Sequence, residues 1–443
     1  QVGRATQGRI DDGKTLCLGD WGQVNESLRD EVKDFYVFPL GAVPKPLEPT
    51  EMRPASDHTK TGLNHASDMS FLKHSLTAHK DVAWLLRTGY FMYVSDVEAA
   101  FTVLPLAPWL WWFFLFRVQL PGRGKRTQLC MHLTGDFGTR GMPGCFYIFY
   151  AKVVLPMARS ELVVSLPLVV YVDDNSMIGA VEDEVNHEME AMQAWCLLVV
   201  GLSFKWLKDR KAAQRQLYIG FWWDSRSLTL ELEERKLGAY VVSLLEFAER
   251  RTASLHELRS LAGKAQRAVM TMPPGAACLV TNFFLLMSGL MLPWHKRRVP
   301  RAARCDAEFI ARLLELNLGR GYYSYAHFGQ APVVYSDACK GGYAGGGYFS
   351  ADGPYRFWQY GTSASRQLID YLEGDTSLVA VEDLSAGWRG CMVPFGIDNM
   401  SYQRSEKRGR SRATRLNDLL KALFVRQVQG GFILDSFWLS SED

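Results

Sequence analysis

Residues 166–178, LPLVVYVDDNSMI, constrain this chain more than any other stretch. An apolar, β-branched run ends in Tyr171-Val172-Asp173-Asp174, and the apolar pair Met177-Ile178 follows after two polar residues. The pattern predicts strand, tight turn, strand, with adjacent carboxylates at the turn. Along a strand, neighbouring side chains diverge to opposite faces. A turn relaxes that rule and lets Asp173 and Asp174 share one exposed tip. Two carboxylates so close repel each other, so the tip either holds a cation or is a well-solvated hairpin turn.

Other stretches bear on that choice. Tyr90-Phe91-Met92-Tyr93-Val94-Ser95-Asp96 reads as a strand ending in a carboxylate, with Ala99-Ala100-Phe101 behind it. An aspartate fixed by a strand and exposed by a bend suits a metal ligand or a cap for the next turn. Residues 133–144, LTGDFGTRGMPG, carry four glycines and one proline, a shaped loop that permits close backbone approach to a ligand. Helices are expected near 145–158 and 185–200. Further upstream lies Arg53-Pro54-Ala55-Ser56-Asp57-His58, then Gly62-Leu63-Asn64. An arginine in such a place can grip a phosphate with two hydrogen bonds.

Beyond Gly201 comes a basic stretch with Lys205, Lys208, Arg210 and Lys211, then strand-like residues 216–232 with a turn at 224–227. Residues 233–270 follow helical spacing until Pro273-Pro274-Gly275 breaks it, with further helices expected at 276–290 and 303–318. A new domain is expected from Ala331. Val333-Val334-Tyr335-Ser336-Asp337 is again a strand running into an aspartate, and glycine-rich 341–347 suggests a hairpin. Glu373 falls in a helical stretch, and Asp398 follows the apolar run 393–397. Three acids near the ends of separate elements suit a carboxylate metal cage.

At 443 residues, 48% hydrophobic and 22% charged, the chain is globular and long enough for two to four domains. The net charge of +3 says little about partners, but basic residues cluster at 295–304 and 404–415, as phosphate-contacting patches or solvated linkers. Eight scattered cysteines without ligand spacing fit reduced thiols in an intracellular protein. The most apolar segment, 103–118, is too short for a bilayer and contains Pro105 and Pro108. It predicts two buried strands around a turn, and no membrane segment. No signal peptide is visible, and the encoded protein is expected to extend ahead of Gln1.

Together, residues 40–233 resemble the reverse transcriptases of retroelements and retroviruses, of the LTR or DIRS-like kind. Tyr171-Val172-Asp173-Asp174 matches their Tyr-x-Asp-Asp motif, and Asp96 with Ala100 and Phe101 matches their first metal-binding motif. The interval, 173 − 96 = 77 residues, leaves room for the intervening loop and helix. Phe137-Gly138 and Met142-Pro143 are similar to the family's nucleotide-contacting loop, and Arg53 to Asn64 to its fingers segment. Gly201 and Lys208 resemble its lysine-bearing motif, Leu217-Tyr218-Ile219-Gly220 its primer grip, and residues 258–264 the helix after it. Residues 331–443 resemble the attached ribonuclease H domain, with Asp337, Glu373 and Asp398 matching its first three acids. Its fourth acid is expected just past Asp443, which would leave that domain incomplete. Two departures stand out: Asp136, where the family usually has proline, and the aromatic run 109–114.

The resemblance implies an α+β fold: a right-hand polymerase followed by an α/β ribonuclease H-like domain. Its expected parts are an N-terminal extension (1–35), fingers and palm (36–233), helical thumb or connection (234–330) and ribonuclease H-like domain (331–443). It implies an RNA-directed DNA polymerase that adds dNTPs to a DNA or RNA primer on an RNA template. RNA–DNA hybrid is the implied substrate of the second site. Each site would take two Mg²⁺ ions, with Mn²⁺ as a substitute, on Asp96, Asp173 and Asp174 and on Asp337, Glu373 and Asp398. Arg53 would hold the triphosphate, and Phe101 would exclude ribose. Phe137, Gly138 and Tyr171 would line the nucleotide and template–primer pocket, and Lys208 would protonate the leaving pyrophosphate. The protein would work in the cytoplasm or nucleus. The alternative is an inactive relic or domesticated scaffold that binds nucleic acid without catalysis.

Overall fold

Alternating and continuous apolar runs rich in Val, Phe, Leu and Tyr build the strands of the first part of the chain. In order these are β1 (Thr15–Asp20), β2 (Val37–Phe38), β3 (Leu40–Pro44), β4 (Met52–Ser56), β5 (Phe91–Asp96), β6 (Leu115–Gln119), β7 (Thr127–His132), β8 (Leu168–Tyr171), β9 (Asp174–Gly179) and β10 (Arg210–Ala213). The computed structural model describes residues 1–32, 35–44, 52–68, 78–363, 366–411 and 413–440, with backbone alone at 25, 29–31, 53 and 78. It divides into two compact units, Gln1–Ile219 and Gly220–Asp443.

In the first unit, β1, β7, β6 and β2 form one sheet in that order, and β3 pairs with β4 as a hairpin. The first thirty residues are part of this architecture, because β1 runs antiparallel to β7 with Thr15 opposite His132. Leu115, Phe116, Leu129 and Cys130 are completely buried in that sheet. A second sheet has the order β10-β5-β9-β8. The helices Met142–Phe149 and Glu182–Trp195 cover it. Val185, Met189 and Met192 recur at helical spacing on the buried face of the second helix, against Tyr93 and Met177 of the sheet.

The segment 103–118 departs from expectation. Only Leu115–Gln119 is a strand, and the residues before it form short 3₁₀ turns, Ala100–Val103 and Pro108–Phe113. Pro108 starts the second turn. Proline offers no ladder N–H and presets its φ for a turn, which outweighs the apolar pattern here.

The second unit opens with strands Phe221–Asp224 and Thr229–Leu232 and a helical region. The expected single helix over 233–270 is two, Glu234–Glu249 and Leu255–Ala268, parted by the short strand Thr252–Ser254. Ser254 and Glu257 form a capping box that starts the second helix. The basic run reads as strand Lys296–Arg298, fully exposed and paired with Thr252–Ser254. Helix Arg301–Leu316 follows. Next comes a mixed sheet, in which Val334–Lys340, Ala344–Ser350 and Tyr355–Gln359 are antiparallel neighbours. Cys391–Ile397 runs parallel to Val334–Lys340 on one side and to Ile433–Trp438 on the other. Helices Ile369–Leu384, Met400–Arg408 and Thr414–Gly430 complete this part. Among the described residues, no helix is long and apolar enough to cross a membrane.

Candidate active sites

Strand register assembles the first acidic cluster. β5 and β9 are antiparallel with Asp96 opposite Asp174, and Asp174 also faces Tyr171 across the hairpin. Only Val172 and Asp173 make the turn. Val172 sits at φ +58°, a left-handed conformation that a β-branched residue adopts only at a cost. The Asp173 carbonyl accepts the Val97 N–H at 2.9 Å and the Asn175 amide at 3.2 Å. Beneath the turn, the buried Tyr150 hydroxyl meets Asn175 Oδ1 at 2.9 Å, and the Tyr218 hydroxyl lies 3.2 Å from the Val169 and Asp174 carbonyl oxygens. Tyr150 opens a π-helical turn, Tyr150–Val154, a local widening often found at functional sites.

The charges are coupled. Burial, then the nearby Asp173 and Asp96, push the Asp174 carboxyl up to about 7, while Lys205 and Lys208 pull it back. Lys205 Nζ donates to Asp96 Oδ1, and its backbone N–H donates to the Asp96 carbonyl at 2.9 Å. Lys208, the lysine singled out by motif, stands 4.0 Å from Asp96 Oδ2. Lys205 is thus a residue that the motif reading missed. Its signal was present in the same basic stretch, three residues earlier.

Several of the nucleotide-pocket candidates meet one another, with Phe101 against Phe137. The Phe101 ring lies 5.2 Å from that of Phe137 and 6.3 Å from that of Phe146. Gly138 has φ +139°, and a Cβ there would fall 1.9 Å from the Ser56 carbonyl oxygen, so only glycine fits. Asn64 Nδ2 donates to the Gly138 carbonyl at 2.9 Å. Tyr171 is half-buried at the hairpin end. The Arg53 backbone pairs with Val43 in the β3–β4 hairpin, and its side chain lies outside the described residues.

The second unit draws its acids closer. Ser336 and Ile397 are register partners on parallel strands, so the residues that follow them, Asp337 and Asp398, emerge side by side. Glu373, on helix Ile369–Leu384, points between them and is 1% exposed. Its Oε1 accepts the Ala338 N–H at 3.3 Å. One oxygen from each acid lies within 4.8 Å of the others, the one group of three this tight among the described residues. Burial, then Asp398 and Asp337, push Glu373 up to about 8; burial, then Asp337, raise Asp398. Glu373 Oε2 and Asp398 Oδ1 are buried without a hydrogen-bond partner. Orphaned hard oxygens beside mutually repelling acids fit a divalent cation. A groove of about 940 Å³ opens beside Asp337 and Asp398, walled by Tyr335, Phe349 and Phe357.

No family model matches the sequence, and no curated protein is significantly similar to it. Solved structures do match. The foamy viral protease–reverse transcriptase dRH in complex with ds DNA aligns over 97% of this chain and 68% of its own, with TM-score 0.52 at 13% identity. The chain has a reverse-transcriptase fold. The foamy viral protease–reverse transcriptase in complex with RNA/DNA hybrid aligns over 94% of this chain and 53% of its own, with TM-score 0.46 at 18% identity. The α+β class expected from sequence is the class observed. Within this reverse-transcriptase fold, the sequence-predicted acids gather as two separate clusters, one in each unit.

Proposed function

We propose that the first unit is an RNA-directed DNA polymerase and that the second carries a linked ribonuclease H-like site. The observation that supports this most is the register of β5 and β9, which sets Asp96 against Asp174 with Asp173 in the turn between. Nucleotidyl transfer is an in-line displacement at an α-phosphate by a primer 3′-hydroxyl. Asp96, Asp173 and Asp174 would hold Mg²⁺, and bound Mg²⁺ supplies charge stabilisation for the attacking and leaving oxygens. Lys205 restrains the Asp96 carboxylate, and Lys208, 4.0 Å from Asp96 Oδ2, would give a proton to the leaving pyrophosphate. Phe101, backed by Phe137 and Phe146, presents a ring that excludes a 2′-hydroxyl. Arg53 is assigned to the triphosphate by motif, and Tyr171 to the template–primer end.

In the second unit, Asp337, Glu373 and Asp398 would hold Mg²⁺ for hydrolysis of RNA in an RNA–DNA hybrid. The partners are an RNA template, a DNA or RNA primer, dNTPs and the hybrid, with exposed basic residues at 296–298 contacting phosphates in a salt-dependent way. Primer extension on an RNA template, with dNTPs against rNTPs and an Asp173→Asn control, tests the reading. Mg²⁺-dependent dNTP incorporation lost in the variant is expected. Nucleic-acid binding without extension by the unmutated protein would favour the inactive scaffold instead.

A further inference from the structure

Asp136, where the family pattern has proline, is 1% exposed. A buried carboxylate is costly unless its charge is matched and its lone pairs are bonded. His58 Nε2, itself fully buried, lies 2.8 Å from Asp136 Oδ2, and the Thr139 hydroxyl donates to Oδ1 at 2.6 Å. His132 Nε2 lies 3.9 Å from Oδ2, and the other His132 nitrogen, Nδ1, meets the Thr15 hydroxyl at 3.2 Å. Phenylalanines box the rings, with Phe38 4.3 Å from His58 and Phe116 4.4 Å from His132. The His58 loop and the stretch 132–139 therefore meet at one carboxylate, and β1 joins them through Thr15 on His132.

The loop that follows is tied residue by residue. Arg9 donates to the Gly135 carbonyl at 3.2 Å, and the Ser56 N–H donates to the Phe137 carbonyl at 2.8 Å. Asn64 takes both the Gly138 carbonyl and the Arg140 N–H, each at 2.9 Å. On its other side the loop rests on Phe101. A Cβ on Gly135 would lie 2.4 Å from the Phe101 carbonyl oxygen.

We propose that the His58–Asp136–His132 cluster positions the nucleotide-contacting loop, and that through Gly135 and Phe137 it sets where the Phe101 ring stands. Asp136 is a positioning residue on this view, and the proposal rests on the polymerase reading. Burial, then Arg9, push His132 down to about 3, against the pull of Asp136. Burial acts to raise Asp136, but the hydrogen bond and charge of His58, with His132, hold it well below the usual carboxylate range.

The test pairs Asp136→Asn with the milder Thr139→Val, which removes one hydroxyl from a half-buried site. Asp136→Asn is expected to raise the dNTP KM about tenfold with little change in kcat, and to lower discrimination against rNTPs by a similar factor. Thr139→Val is expected to move both about threefold in the same direction. Affinity for primer–template should not change. Amide hydrogen exchange over residues 135–140 should quicken in both variants while the rest of the unit keeps its protection. Unchanged dNTP KM and discrimination in a folded variant would overturn the proposal, as would unchanged exchange. Should the unmutated protein extend no primer, the polymerase reading falls, and exchange alone then decides whether Asp136 anchors the loop. If Asp136→Asn does not fold, Thr139→Val carries both readouts.

Discussion

The two acidic clusters solve the same electrostatic problem in different ways. In the first unit, three aspartates on a hairpin and its neighbouring strand have ammonium groups beside them, Lys205 on Asp96 and Lys208 at 4.0 Å. In the second, no lysine or arginine pairs with Asp337, Glu373 or Asp398 among the described residues, and two buried oxygens have no partner. One cluster carries its own counter-charge. The other leaves its repulsion to be relieved by protons or by a cation. A site of the first kind tolerates the absence of metal, whereas a site of the second kind should depend on it.

Removing one acid from each cluster has the largest expected effect. Asp173→Asn should lower primer extension about a thousandfold and leave hybrid cleavage intact, and Asp398→Asn should do the reverse. Gel assays of both activities on both variants check this. Loss of both activities from either single change would break the division into two chemical centres.

A second test is pH. Glu373 has a folded-state pKa of about 8 against an ordinary 4.5. The folded, metal-free unit therefore keeps a proton that the unfolded chain has released. Its stability from this group is highest below about pH 4.5 and falls through pH 8, by up to about 1.4 kcal/mol per pH unit. Asp174 acts in the same direction between its ordinary range and about 7, blunted by the lysines. Mg²⁺ should consequently raise the melting temperature more at pH 8.5 than at pH 6, and Glu373→Gln should flatten the metal-free profile. A profile unchanged by that substitution would remove Glu373 from the account.

Lys205→Met sharpens the contrast at lower amplitude. The ion pair with Asp96 is only partly buried, at 26% and 21% exposure. Its loss should cost about 1 kcal/mol of metal-free stability. The same change should increase the stabilisation that Mg²⁺ gives the first unit, making that cluster behave more like the second. Denaturant midpoints with and without Mg²⁺ measure both effects. An unaltered response to Mg²⁺ would show that Lys205 does not set the charge balance there.

Much of this was legible in the sequence, because the decisive features are local. A β-branched run broken by Tyr-x-Asp-Asp fixes a hairpin, and the strand running into Asp96 ends on it, whereas the strand expected to end at Asp337 continues to Lys340 and carries that acid at its middle. What stayed hidden depends on partners far along the chain. Asp136 stood out only as a departure from pattern, since its partner His58 lies 78 residues away. The motif singled out Lys208, and only the fold showed that Lys205 is the lysine bonded to Asp96. The helix over 233–270 looked continuous because residues 250–254, Arg-Arg-Thr-Ala-Ser, contain neither proline nor glycine. Its break was written in Ser254 and Glu257, whose capping spacing carries more positional information than periodicity.

Backbone strain supplies the smallest contrast between the clusters. Asp173 is delivered by a turn whose first residue, Val172, is left-handed, whereas Asp337 and Asp398 follow strand residues of ordinary conformation. Val172→Gly should relieve roughly 1–2 kcal/mol of steric cost, offset by about 0.5–1 kcal/mol of extra chain entropy in the unfolded state. The net expectation is a gain of about 0.5–1 kcal/mol in stability. Glycine also widens the conformations open to the turn, so Asp173 should be held less firmly against the Val97 and Asn175 bonds that fix its carbonyl. Primer extension should therefore fall several-fold as stability rises. Equal activity in the more stable variant would show that the strain at Val172 is incidental and that the strand register alone orients the acids.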